Sequence, residues 1–171
     1  GGGERRGIDE ACVREGTELV DMRHEEAAAI AATGYATASR GPGVAMVTSG
    51  PGVVNMAPGI AGAWYASAPV IGICTHTPHY LEEMGSFQEF DSRDMYRSIT
   101  KWRGYCTSTR RIPEYVATAF RYANSGRKRP VLLDFPDDIL AAKVDEREAL
   151  IVPRDRETSP PHGDPEAIKA A

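Results

Sequence analysis

Three apolar runs constrain this chain more than anything else in it. "VAMVTS" (44–49), "VIGICT" (70–75) and "VLLDF" (131–135) are apolar almost throughout and lack the strict alternation of a strand with one wet face. Strands of that kind must be covered on both sides, which is the condition of a parallel sheet inside an α/β fold. "TELVDM" (17–22) and "KWRGYCT" (101–107) are expected to add two further strands. The stretches between them read as helices. From Glu25 to Arg40, the residues Ala27, Ile30, Ala31, Gly34, Tyr35 and Ala38 recur at helical spacing, which predicts one inward face made mostly of small residues. "GPG" (41–43) then stops that helix. "GPGVVNMAPGIAGAWYAS" turns from the second strand into another small-residue helix, and "PEYVATAFRYANSG" forms a third between Pro113 and Gly126. The fold class expected is α/β, an open parallel sheet with helices on both faces.

The overall balance removes several function classes. The 171 residues carry a formal net charge of −4, with Lys and Arg scattered, so no basic stripe is available to grip a phosphate backbone and no nucleic-acid partner is expected. No apolar run approaches the roughly 20 residues that cross a bilayer, so no membrane association is expected. Cys12, Cys74 and Cys106 are odd in number and far apart, which suggests neither a disulfide framework nor a cysteine metal site; a cytoplasmic setting fits them. From about Pro153, "PRDRETSPPHGDP" has the proline and charge density of a linker, and "DPEAIKAA" begins a new helix. Residues 1–150 are therefore expected to form one domain, and 151–171 a linker with the start of the next. A chain that opens on Gly1 without a methionine is expected to reflect processing, a tag scar or an excised fragment.

In open parallel sheets, ligands gather beyond the carboxyl ends of the strands, so the residues that follow each strand are the candidates. After the first come Arg23, His24, Glu25 and Glu26, and after the second Ser49, Gly50, Pro51, Gly52 and Asn55. After the third come Thr75, His76 and a polar loop with Phe87, Gln88 and Glu89. Glu25 and Glu26 can be read as first-turn acids that complement a helix dipole, or as carboxylates enclosed at a site. "SGPGVVN" falls short of GxGxxG, because Asn55 stands at the third glycine and Pro51 removes a backbone donor; a tight turn and a ligand loop are both open. His76 and His79 have no second ligand pair, Ser49 lies outside GxSxG, and Asp137 with Asp138 reads as a cap.

Taken in order, "RHEEAAAIAATGYA", "GVAMVTSGPGVVN", "GIAGAWYASAPVIGI", "FQEFD" and "SGRKRPVLLDFPDDI" resemble the N-terminal pyrimidine-binding domain of thiamine-diphosphate enzymes. Within that superfamily they are most similar to the acetolactate synthase (acetohydroxyacid synthase) large-subunit group, over roughly residues 1–140. The resemblance implies that Glu25, the acid of an "HE" pair, hydrogen-bonds the cofactor pyrimidine and favours the tautomer that deprotonates the thiazolium, making it the catalytic residue. It implies that Pro51 and Asn55 line the pyrimidine pocket with Glu25. Gln88, with Phe87 beside it, would approach the cofactor's reactive end and the substrate. Glu26 stands where relatives usually carry Gln and is expected to be an ordinary first-turn acid. His76 would also border the substrate pocket, but it replaces the Gln of a "GQ" pair, which puts the substrate in question.

The same resemblance implies thiamine diphosphate as cofactor, with Mg²⁺ held by a C-terminal domain outside this sequence, and allows FAD in the full-length enzyme. It implies a small 2-oxo acid substrate that is decarboxylated and then ligated. The partner implied is the diphosphate-binding domain of a neighbouring subunit in a homo-oligomer, dimer or tetramer. The first strand of the domain is expected to be missing, and this chain alone is expected to be inactive. Two alternatives stand: a decarboxylase or lyase of the oxalyl-CoA or benzoylformate type, and a non-catalytic association module.

Overall fold

The computed structural model describes residues 6–151 and 163–170. Helix α1 (Arg6–Arg14) comes first. Next come α2 (Glu25–Ser39), β1 (Gly43–Val47), α3 (Pro51–Ala66) and β2 (Val70–His76), followed by the short α4 (Ser92–Met95) and β3 (Arg103–Tyr105). Helix α5 (Ile112–Asn124), β4 (Val131–Pro136) and α6 (Asp137–Ala141) complete the body, and α7 (Pro165–Ala170) lies where a new helix was expected. The linker read from Pro153 falls mostly outside the described residues.

All four strands are parallel, in the order β1-β2-β4-β3. Because side chains alternate across a strand, the apolar runs divide into two cores. Val70, Cys74 and Leu132 face one way, together with Ala45 and Val47, and pack under α2 and α3. Ile71, Val131, Leu133 and Phe135 face the other way and pack against Ala119 and Ala123 of α5. The expected fold class is what the chain forms, with helices on both sheet faces.

Three expectations are corrected in detail. "TELVDM" is not a strand: residues 17–22 pair with nothing in the sheet, and Leu19 and Val20 are exposed. A short run with apolar residues does not make a strand by itself, because its backbone groups need a neighbouring ladder. The strand expected over 101–107 shrinks to Arg103–Tyr105, the length over which it pairs with β4. The buried face of α2 is also not the one its periodicity suggested. Ala29, Ala32 and Ala36 are buried, whereas Ile30 and Tyr35 are 56% and 64% exposed. The cause is close approach. A Cβ at Gly59 of α3 would lie 2.6 Å from the Ala29 Cβ and 2.8 Å from the Glu26 carbonyl oxygen, so only methyl-sized groups fit between these helices.

The end of α2 also differs from expectation. The left-handed residue that closes it is Arg40 (φ 58°), one place before the "GPG" turn.

Candidate functional site

The carboxyl ends of β1 and β2 bring the first turns of α2 and α3 to one edge of the sheet. His24 caps α2: its extended backbone (φ −141°) lets the ring Nδ1 accept the Glu26 amide at 3.2 Å. With that amide capped by the histidine, the Glu25 side chain is left free to reach across to α3. Its Oε2 accepts a hydrogen bond from Asn55 Nδ2 at 3.1 Å. Its other oxygen faces Gly52, where a Cβ would come within 3.6 Å of Oε1 and 3.2 Å of Thr48 Oγ1. The glycine keeps that space open beside the carboxylate. The first turn of α3, with Pro51 at its head and no side-chain cap from Gly50, directs unpaired backbone amides and the positive end of its dipole toward this edge.

The third side of the cleft is the loop after β2. Gly50 has φ 61°, and a Cβ there would strike Gln88 at 2.8 Å, so the backbone of the second crossover lies directly against Gln88. Gln88 is itself in the left-handed region (φ 60°), a costly conformation for a residue with a side chain, and it accepts a 3.4 Å hydrogen bond from buried Ser49 Oγ. Glu89 ties this loop to itself: its carboxylate accepts the Glu83 and Ser86 amides, and these bonds hold its pKa below the ordinary carboxylate value. Phe87 is 87% exposed, a bare ring beside Gln88.

Of the residues expected at a site, Glu25 and Asn55 are thus joined directly, and Gln88 is docked on the turn that leads to Pro51. His76 lies elsewhere in the constellation. It is 7% exposed, with Nδ1 3.5 Å from Asp134 Oδ2, Nε2 4.0 Å from Glu82 Oε1, and its ring edge-on to Tyr105. The bond to Asp134 raises its pKa, against the opposing effect of burial. Asp138, read as a cap, instead accepts the His79 amide at 2.8 Å. Asp134 was not singled out from the sequence, although an acid inside the apolar run "VLLDF" was the signal for it. It is 1% exposed, and Ser92 Oγ donates to its Oδ2 at 2.5 Å. Beneath it, burial first and Asp134 second push the Cys74 thiol well up.

The carboxylate and carboxamide joined at Glu25 and Asn55, beside the space that Gly52 leaves open, fit an aminopyrimidine, which carries ring nitrogens and an exocyclic amine. Residues 2–95 match the family described as thiamine pyrophosphate enzyme, N-terminal TPP binding domain, a span that includes Glu25, Asn55 and Gln88. The chain belongs to that family. It is similar to a probable acetolactate synthase large subunit of Methanocaldococcus jannaschii, at 42% identity over 72% of this chain and 21% of that protein. It is also similar to acetolactate synthase 3, chloroplastic, of Brassica napus, at 40% identity over 81% of this chain and 21% of the relative. With acetolactate synthase isozyme 2 large subunit of Escherichia coli it shares 36% identity over 98% of this chain and 30% of the relative. The chain thus spans about a fifth to a third of the length of these relatives.

Proposed function

We propose that this chain is the pyrimidine-binding, cofactor-activating part of a thiamine-diphosphate enzyme that decarboxylates a 2-oxo acid and ligates the product, as an acetolactate synthase does. The observation that carries the proposal is the Asn55–Glu25 hydrogen bond at the joined first turns of α2 and α3. Thiamine diphosphate supplies the nucleophilic carbon that such reactions need. Glu25 holds a proton at the pyrimidine ring nitrogen through the carboxyl oxygen that Asn55 does not occupy. Asn55 keeps that carboxyl from rotating. Pro51 forms the wall at the head of α3, Gln88 is presented by its docking on Gly50, and Phe87 stands beside it on the substrate side.

In this reading residues 1–150 are the pyrimidine domain, and 151–171 lead to further domains. The site is completed by the diphosphate-binding domain of a neighbouring subunit, with its Mg²⁺, in a cytoplasmic homo-oligomer; FAD belongs to the same proposal. Among the described residues, no helix is long and apolar enough to cross a membrane. In the full-length protein, Glu25→Gln is expected to slow exchange of the cofactor C2 proton by orders of magnitude. Exchange at the unaltered rate overturns the assignment. Product analysis with pyruvate then separates ligation, which gives acetolactate, from a simple decarboxylase of another acid, which gives no turnover.

A further inference from the structure

We propose that Asp134 and His76 are positioning residues for the loop that carries Gln88: Asp134 holds the His76 ring at the carboxyl end of β2, and the ring holds Glu82, tying the loop to the sheet. The inference deepens the proposed function and rests on its placement of Gln88 at the cofactor's reactive end.

Strand register brings these groups together. Cys74 lies opposite Asp134 on β4, which lies opposite Tyr105 on β3, and His76, two residues beyond Cys74, shares the same sheet face. Asp134 is almost fully buried, and its Oδ1 has no hydrogen-bond partner among the described residues, so a charge there is stable only beside a cation. His76 is that neighbour. The groups that face the imidazole are Asp134 from β4, Glu82 and His79 from the segment after β2, Glu89 from the far end of the loop, Arg93 from α4, Tyr105 from β3, and Cys74 below it on β2. Arg93 is the one cation in that set besides the histidines, and it lies over the Tyr105 ring, 4.6 Å from the centroid. Three carboxylates against one arginine favour the imidazolium.

The second ring nitrogen passes the constraint outward. Glu82 Oε1 lies 4.0 Å from His76 Nε2 and 3.2 Å from His79 Nδ1. From Leu81 to Glu89 the loop is tied to itself, by Ser86 Oγ donating to the Leu81 carbonyl at 2.9 Å and by Glu89 accepting the Glu83 and Ser86 amides. These bonds hold it together as one piece. Its attachments include the His79 amide on Asp138, the His79 ring against the Tyr105 hydroxyl, the Glu82 side chain on His76, and Gln88 on Gly50 and Ser49. Both nitrogens of His76 face carboxylates, so the ring acts on the site through Glu82 and the loop rather than by touching substrate.

The test uses the full-length protein without thiamine diphosphate. Proton NMR of the histidine rings is expected to show His76 titrating above the ordinary 6.5, with a lower value in Glu82→Gln, a substitution at a partly exposed side chain that leaves the core intact. Amide exchange of residues 77–91 is expected to quicken about fivefold in His76→Gln and in Glu82→Gln, the size expected from losing one partly exposed ion pair, while α2 and α3 keep their protection. A His76 that titrates at or below 6.5, or a loop that exchanges at the unaltered rate in both variants, overturns the proposal. Adding thiamine diphosphate afterwards separates the two readings. A tether that behaves as stated beside a cofactor that does not bind supports the loop assignment and defeats only the pyrimidine pocket.

Discussion

Asn55 Nδ2 donates to Glu25 Oε2 at 3.1 Å, joining the first turns of two helices that stand 30 residues apart in the chain. The bond fixes the orientation of a carboxylate at a sheet edge where the dipole of α3 points, and neither residue is needed for the core. Asn55→Ala is therefore expected to leave stability within about 0.5 kcal/mol. It should weaken thiamine diphosphate binding to the full-length protein about tenfold, the loss of one hydrogen bond that orders a charged group. Calorimetric titration checks this, and unchanged affinity would remove Asn55 from the pocket.

The closeness of α2 and α3 that permits this bond depends on Gly59. An alanine there would place its methyl against the Ala29 Cβ and the Glu26 carbonyl, and the two helices would have to separate. Gly59→Ala should cost about 1–3 kcal/mol in urea denaturation, despite the better helix propensity of alanine. A stability gain would show that the helices have room to spare.

Tyr96 is fully buried beneath α3, and its hydroxyl donates to the Val53 carbonyl at 2.5 Å. Burial raises its pKa, so the phenol stays a neutral donor throughout the useful pH range. Tyr96→Phe keeps the ring and removes the donor, and should cost about 1–2 kcal/mol by equilibrium unfolding. A cost near zero would mean that the carbonyl is satisfied without it.

His76 is held above its ordinary pKa, first by the bond to Asp134. A group whose folded pKa exceeds its unfolded one contributes stability that is fully present below the unfolded value, near pH 6.5, and lost as pH rises through the folded value. Urea midpoints of the unaltered protein and of His76→Gln should accordingly draw together as pH is raised from roughly 6 to 9. A gap that stays constant over that range would show that the ring carries no such charge. Glu89 works in the opposite sense: its lowered pKa means that its hold on the loop amides is lost as pH falls through its folded value.

Much of the scaffold was legible because the information was local. "VIGICT" and "VLLDF" had to be internal strands, since nothing else tolerates apolar side chains on both faces, and they pair in the structure over five residues of each run. Asn55 and Gln88 were legible for a related reason: in a parallel sheet, whatever follows each strand collects at one edge. Glu25 was singled out after a strand that does not form, and it stands at the site because it heads α2. The inward face of α2 was not legible. In a helix of alanines, the larger Ile30 and Tyr35 suggested the core, yet they point outward because Gly59 brings α3 too close for anything but a methyl group. "TELVDM" had the pattern of a strand and lacked a partner for its ladder.

By itself, then, the sequence determined the parallel α/β framework, the chain order of its main strands and helices from α2 to β4, and the edge at which its polar residues collect, because periodicity and turn chemistry act within a few residues. Only the tertiary structure decided which Glu faces Asn55, which carboxylate faces His76 and which side of α2 is buried. Those outcomes depend on strand register and on the distance between helix axes, and both are set by contacts between residues 30 to 60 positions apart, such as Asn55 with Glu25 and His79 with Asp138.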